Sequence, residues 1–150
     1  HFALSAEFAY SKGNKAYNAV RRTLESASSF SNQSVAVSNR WSVEGQVTDM
    51  PRATFGDAIG NNNFSSRWIE DASFLRMKSI TLSYNFDKPV WNFFRSGTIY
   101  VTGENLLTAT KYLGMDPEFA YSSGSNATQG FDYAKVMQPK SVKLGINLKF

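Results

Sequence analysis

Cysteine is absent from this 150-residue sequence, and histidine occurs once, as His1. Without cysteine there is no disulfide, no thiol nucleophile and no Cys-based zinc site. A single histidine at the first position leaves no Ser-His-Asp arrangement to assemble. Charge is sparse: Asp, Glu, Lys and Arg make up 19% of the residues. The 16 Lys and Arg outnumber the 12 Asp and Glu, but they are scattered, and Arg21-Arg22 is the longest basic run. A nucleic-acid partner would want a basic stripe with interleaved aromatics, and none is present. No stretch approaches the ~18 consecutive apolar residues of a membrane helix, so any membrane core would have to be crossed by strands. Two Gly-rich spots lack phosphate-loop spacing. Asp116-Pro117-Glu118 brings two acids together without a third ligand and reads as a turn. Neither an enzyme nor a cofactor is expected.

Aromatics, by contrast, are plentiful at 15%, with 12 Phe, 7 Tyr and 3 Trp. Four segments alternate with the period of two that marks a strand. In the first, about 2–10, Phe2, Leu4, Ala6, Phe8 and Tyr10 share a face opposite Ala3, Ser5, Glu7 and Ala9. In the second, about 72–86, Ile80, Leu82, Tyr84 and Phe86 alternate with Ser79, Thr81, Ser83 and Asn85. The third, about 96–106, sets Ile99 and Val101 against Thr98, Tyr100, Thr102 and Glu104. The fourth, about 139–150, gives an unbroken apolar face of Val142, Leu144, Ile146, Leu148 and Phe150. Each segment is near the ~9–11 residues that a tilted strand needs to cross a bilayer.

Alternation alone fits a soluble, secreted β-sandwich that binds glycans through exposed aromatics equally well. The connections favour a membrane barrel. Asp87 to Arg95, with Pro89, Trp91, Phe93 and Phe94, is a short link between the second and third segments. The other two connections are several times longer, and long loops on one side with short turns on the other are the barrel pattern. Within the first long connection, Asn14 is expected to cap a helix over Lys15 to Ser29, with Tyr17, Val20, Leu24 and Ala27 on one stripe. The chain enters at His1-Phe2-Ala3-Leu4 directly on the alternating pattern, as a piece of something longer would. Four strands are too few to close a barrel, so a standalone membrane version would need an oligomer.

Several patches, in order, resemble the end of the SusC/RagA family of TonB-dependent transporters. They are Gly13 with Tyr17-Asn18, Arg40-Trp41, Glu44-Gly45-Gln46 and Thr48-Asp49-Met50-Pro51. Then comes the run from Ser66-Arg67-Trp68-Ile69 through Met77-Lys78 to Ile80-Thr81-Leu82-Ser83-Tyr84. Asn105-Leu106-Leu107-Thr108, Thr110-Lys111-Tyr112, Gly114 and Asp116-Pro117-Glu118 follow, and Pro139 precedes the last segment. The resemblance covers essentially the whole chain, with small departures at Met50 and Met77.

That resemblance implies an all-β fold: residues 1–150 as the C-terminal antiparallel strands of a 22-stranded transmembrane β-barrel, with long extracellular loops and one short loop helix. It implies an outer-membrane location in bacteria, surrounding lipid, the remainder of the barrel and an upstream plug. It also implies TonB as the energy source, a SusD-like surface lipoprotein over the loops, and a glycan or peptide cargo. Leu144, Ile146, Leu148 and the terminal Phe150 would be the signal read by the barrel-assembly machinery. With Phe150 at the periplasmic rim, Asp87–Arg95 becomes periplasmic, and the loops of about 11–71 and 107–138 become extracellular. Glu7, Tyr100, Thr102, Glu104, Lys143 and Asn147 would face the lumen or the plug. Trp41, Trp68, Tyr112, Phe119 and Tyr121 are candidate contacts for substrate or lid, the alternative being that they order their own loops. Alone in water, such a chain should aggregate, because it exposes two sheet edges and an apolar face.

Overall fold

The computed structural model describes residues 1–86, 95–119 and 128–150. The expected turn with Trp91, Phe93 and Phe94 falls outside these residues, as does Tyr121. The chain forms two compact units, one of residues 1–12, 73–111 and 137–150, the other of 13–72 and 112–136. The structure is mostly strand, in largely antiparallel sheets with one short α-helix.

The first unit is a four-stranded antiparallel sheet of β1 (Phe2–Ser11), β4 (Phe74–Phe86), β5 (Ser96–Thr110) and β7 (Ser141–Lys149), in the order β1-β4-β5-β7. Its register puts like with like across all four strands. Leu4, Leu82, Val101 and Leu144 form one apolar row; Phe2, Tyr84, Ile99 and Ile146 form the next. On the opposite face run Ser5-Thr81-Thr102-Lys143 and Glu7-Ser79-Glu104-Ser141. Because neighbours along a strand point to opposite faces, a one-residue slip would mix these rows. The register is therefore fixed by the sequence pattern itself.

The pattern contains one phase error, and the structure corrects it. Leu75 and Met77 are odd-numbered, Ile80 and Leu82 even, so strict alternation would split them between faces. Glu7 and Phe8, consecutive in β1, pair with Ser79 and Met77, which leaves Lys78 as an extra residue in β4. In β5, Glu104 pairs with Ser79 and Leu107 with Met77, so Asn105 and Leu106 oppose Lys78 alone. Asn105 adopts a φ of 53°, the left-handed region that Asn tolerates better than most residues. This double bulge returns Leu75, Met77 and Leu107 to the face of Phe8 and Tyr10. It also lets β5 continue to Thr110, four residues beyond the point where simple alternation stops at Leu106.

Gly145 pairs with Tyr100, whose ring lies across it: a Cβ there would stand 2.2 Å from Tyr100 Cζ. Gly97 is likewise crossed by the ring of its partner Phe86, and a Cβ would also meet the Asn147 carbonyl oxygen at 2.9 Å.

The second unit contains a small sheet in the order β3-β2-β6, with β2 (Lys15–Asn18) antiparallel to β3 (Ile69–Asp71) and parallel to β6 (Phe131–Asp132). Helix α1 (Ala19–Leu24) follows β2 directly. This corrects the expected helix over Lys15 to Ser29. The Asn14 side chain donates instead to the Ala72 carbonyl at 2.9 Å, and Asn14 accepts from the Ala72 amide. Tyr17 takes strand conformation because Ile69 and Phe131 pair with it on either side. The cap is Asn18, whose Oδ1 accepts from the Arg21 amide at 2.8 Å, and the helix stops before Ala27, which has a φ of 47°. The three small strands have two to four residues each, too few to show any period.

Candidate functional site

The core of the second unit is built from side chains brought together from distant parts of the sequence. The Tyr17 ring stacks between Phe64 and Phe131, with centroids at 4.3 and 5.2 Å. Trp68, with Tyr17 and Ala19, forms one buried cluster; Ala16, Ala72 and Tyr112 form another. Trp68 is 0% exposed, donates from Nε1 to the Asn63 carbonyl at 3.2 Å, and carries the Arg67 guanidinium 4.7 Å above its ring. The second guanidinium, Arg21, stands 5.8 Å from the same ring.

These two cations require buried anions. Arg21 Nε donates to Glu25 Oε1 at 2.9 Å, and Arg21 Nη1 to Glu70 Oε1 at 3.1 Å. Glu70 also accepts from Asn18 Nδ2 and, through Oε2, from the Leu113 amide at 3.0 Å. Burial pulls Arg21 toward a lower pKa, but the hydrogen bonds and charges of Glu25 and Glu70 outweigh it and the net direction is up. Arg67 moves down, because burial and the Arg21 charge outweigh the attraction of Glu25 and Asp49. Tyr112 donates its hydroxyl to Asp132 Oδ2 at 2.6 Å, and burial together with that carboxylate pushes its pKa well above the ordinary tyrosine value. Each interaction ties one of the two long connections to another part of the unit.

Against one side of α1 lies a cleft of about 450 Å³, lined by Val20, Arg21, Leu24 and Glu25 of the helix end, Asn18, Ser34 and Ala36, and the loop residues Leu113, Gly114, Met115, Asp132 and Ala134. Its walls are aliphatic and its polar groups are Arg21, Glu25, Asp132, Asn18 and Ser34, the composition of a small-ligand pocket. Of this arrangement only the Arg21–Glu25 spacing, an i,i+4 pair, was visible in the sequence. Glu70, Arg67 and Asp132 converge on it from elsewhere in the chain, which no local pattern signals.

The aromatics expected to meet substrate or lid divide sharply. Trp68 and Tyr112 are interior and order their own loops. Trp41 is half-buried, its backbone amide bonded to the Met50 carbonyl at 3.0 Å. Phe119 is half-buried and packs on Tyr112 with ring centroids 5.5 Å apart. In the sheet, the register brings Glu7, Tyr100, Thr102, Glu104, Lys143 and Asn147 to one face. There Lys143 Nζ meets Glu104 Oε1 at 2.5 Å, Ser141 Oγ donates to Glu104 Oε2 at 2.8 Å, and the Thr81 and Thr102 hydroxyls lie 2.8 Å apart. Leu144, Ile146 and Leu148 lie on the other face and are exposed, as is Phe150 just beyond β7. Among the described residues, no cluster of three or more Asp, Glu and His side chains is placed to hold a metal ion.

No family model matches the chain. TonB-dependent receptor P26 of Formosa agariphila is 31% identical over 148 residues, an alignment covering 95% of this chain and 15% of that protein. TonB-dependent receptor P3 of the same organism is 33% identical over 133 residues, covering 85% of this chain and 13% of that one. The chain thus spans 13–15% of the length of these curated relatives. Among solved structures, the RagAB peptide importer in its closed-closed state superposes with a TM-score of 0.80 at 28% identity, over 99% of this chain and 16% of that chain. The RagAB peptide transporter gives the same TM-score at 29% identity, with the same coverage. In sequence and in backbone, the chain matches a segment of a SusC/RagA-type, TonB-dependent transporter.

Proposed function

We propose that residues 1–150 are wall and loop of an outer-membrane β-barrel that imports nutrients with energy delivered through TonB. The observation that carries this is the sheet's pair of faces. Leu4, Leu82, Val101 and Leu144, one row across all four strands, are 68, 45, 39 and 75% exposed. Apolar rows that stay exposed among the described residues, backed by rows of Ser, Thr, Glu and Lys, suit a wall with lipid outside and water inside. The edges at β1 and β7 suit continuation into further barrel strands, since an open edge of this length invites uncontrolled pairing.

On this reading the segment is the C-terminal part of the barrel, and Leu144, Ile146, Leu148 and Phe150 face lipid and carry the assembly signal. Glu7, Tyr100, Thr102, Glu104, Lys143 and Asn147 line the lumen or touch a plug supplied by the rest of the protein. The second unit lies on the extracellular side, under a SusD-like surface lipoprotein, with Trp41 and Phe119 as the aromatics still half-open to a ligand or to that lid. The likeness to RagAB favours peptides over glycans as cargo. The chain's part is to bound and gate the path; chemical transformation is not required of it.

The test uses single cysteines in the full-length protein in intact cells. A fluorophore attached at Leu144→Cys should be quenched by a lipid-borne quencher, one at Lys143→Cys should not, and Val47→Cys should react with an impermeant maleimide added outside. Equal aqueous access at positions 143 and 144 would sink the barrel-wall reading.

A further inference from the structure

We propose that the C-terminal end of β5 is a strand-addition site for an extended oligopeptide, the cargo of the transport reading, on which this inference rests. The strands of the sheet do not end together. On one side of β5 the ladder with β4 runs on to the pair of Phe74 and Thr110, and β1 reaches the same level at Ser11. On the other side, pairing with β7 stops at Glu104 and Ser141. Residues 107–110 therefore extend past the end of β7, a length of about 13 Å at ~3.3 Å per residue. The chain leading into β7 does not fill this place. Pro139 has no N–H to donate, its carbonyl accepts from Asn105 Nδ2 at 3.3 Å, and Met137 is 53% exposed and outside any strand. Further barrel strands would not fill it either, since they join the sheet at the outer edges of β1 and β7.

The backbone dictates what this edge recognises. Successive residues of an antiparallel strand direct their N–H and C=O groups to alternate sides, so part of the stretch serves β4 and the rest faces the place beside β5. Leu107, Thr108 and Ala109 are exposed and, among the described residues, pair only with Met77, Arg76 and Leu75 of β4. Open edges are ordinarily blunted by charged side chains or proline. The run Asn105-Leu106-Leu107-Thr108-Ala109-Thr110 has neither. An extended peptide laid along it gains main-chain hydrogen bonds whatever its sequence, which suits a carrier of varied peptides. A glycan has no amide repeat to match the alternating donors and acceptors. Side chains add one preference: Leu107 and Leu75, on the apolar face, are 62 and 50% exposed and favour an apolar residue beside Leu107.

The experiment is photocrosslinking of the full-length protein with N-acetyl-Thr-Xaa-Thr-Val amide, in which Xaa is benzoylphenylalanine. The control is the same peptide with every backbone amide N-methylated. The first peptide should label residues 105–111, and the methylated one should do so about tenfold less, because it cannot donate to the edge. Leu in place of the peptide's Val should leave labelling unchanged. Ala109→Lys puts a charge on the edge through an exposed side chain, and should lower labelling by about tenfold. Equal labelling by the two peptides, labelling confined to other parts of the protein, or unchanged labelling in Ala109→Lys would each overturn the proposal. Benzoylphenylalanine in place of Thr108 checks for another occupant in cells. A crosslink from there to the rest of the same protein, or to a second protein, that added peptide does not displace would also overturn it. If the cysteine test holds and peptide labelling fails, the barrel wall stands and only the docking site is lost. If the cysteine test fails while residues 105–111 are still labelled, strand addition stands and its occupant is not a transported cargo.

Discussion

The two units of this chain are stabilised in opposite ways. Every buried apolar side chain among the described residues belongs to the second unit: Ala16, Tyr17, Ala19, Val37, Met50, Trp68, Ala72 and Tyr112. The four-stranded sheet has none. Its ladder is long, yet its apolar rows stay exposed among the described residues, and Arg76 is its one buried charged residue among those described. The second unit is the reverse, with little regular structure but interior aromatics and shared ion pairs. A connection that must hold a shape in water needs its own core, whereas a sheet can do without one if its surroundings supply the apolar phase. Regularity of secondary structure and possession of a core are therefore separate properties, and this chain divides them between its halves.

The comparison is tested most severely at Trp68. Replacing it with Ala should remove about 3–5 kcal/mol from the second unit, through lost burial and the cavity left behind, and free the two guanidiniums that flank the ring. In the full-length protein, limited proteolysis should cut within residues 26–63 at much lower protease, while amide exchange in β4 and β5 stays slow. If exchange in those strands accelerates in parallel, the two units unfold as one and the division is wrong. Next in size is Leu144→Arg. It sits in the middle apolar row, so the barrel reading expects a cost of about 2–4 kcal/mol on folding into lipid vesicles. The same substitution at Lys143, one residue away on the polar face, should leave folding into vesicles unaffected.

How much of this was legible beforehand follows the same division. The four long strands could be read from alternation because each presents two faces to two different surroundings, and even the slip at Lys78 is written in the spacing of Met77 and Ile80. The second unit hides its details from local pattern: Tyr17, Val20, Leu24 and Ala27 fall at helical spacing, yet Lys15–Asn18 is a strand. What overrode that spacing was the pairing of Tyr17 with Ile69 and Phe131, partners more than 50 residues away. For the same reason local sequence leaves open whether Trp68 and Tyr112 meet a ligand or order their own loops, and the fold gives them the second role. A sequence marks an aromatic residue as valuable, but its use as core or as contact depends on which distant segments return to meet it.

A subtler probe of the second unit is the hydrogen bond from Tyr112 to Asp132. Tyr112→Phe keeps the ring between Ala16, Ala72 and Phe119 but removes the donor from a buried carboxylate, at a cost of about 1.5–3 kcal/mol. The wild-type bond also carries a pH dependence. The folded pKa of Tyr112 is raised, so its contribution is fully present below the unfolded value of about 10 and is lost as pH rises above it. Proteolytic resistance of the second unit should fall above pH ~10 in the wild type, and Tyr112→Phe should fall less steeply. Equal slopes would mean that the hydroxyl is not held in the folded unit.

The smallest expected effect is in the sheet, at the Lys143–Glu104 pair. Although Lys143 lies 2.5 Å from Glu104, its side chain is largely in solvent, and pairs of that kind contribute little because water and salt screen them. Lys143→Met should therefore leave the midpoint of thermal unfolding of the full-length protein unchanged within error, at low and at high salt. The null result is informative because it would mean that the polar face stays wet in the whole protein. A clear drop that persists in high salt would mean that some other part of the protein lies against this face and dehydrates the pair. The polar face would then be covered as well, and the sheet would own half of a core whose other half lies elsewhere in the protein.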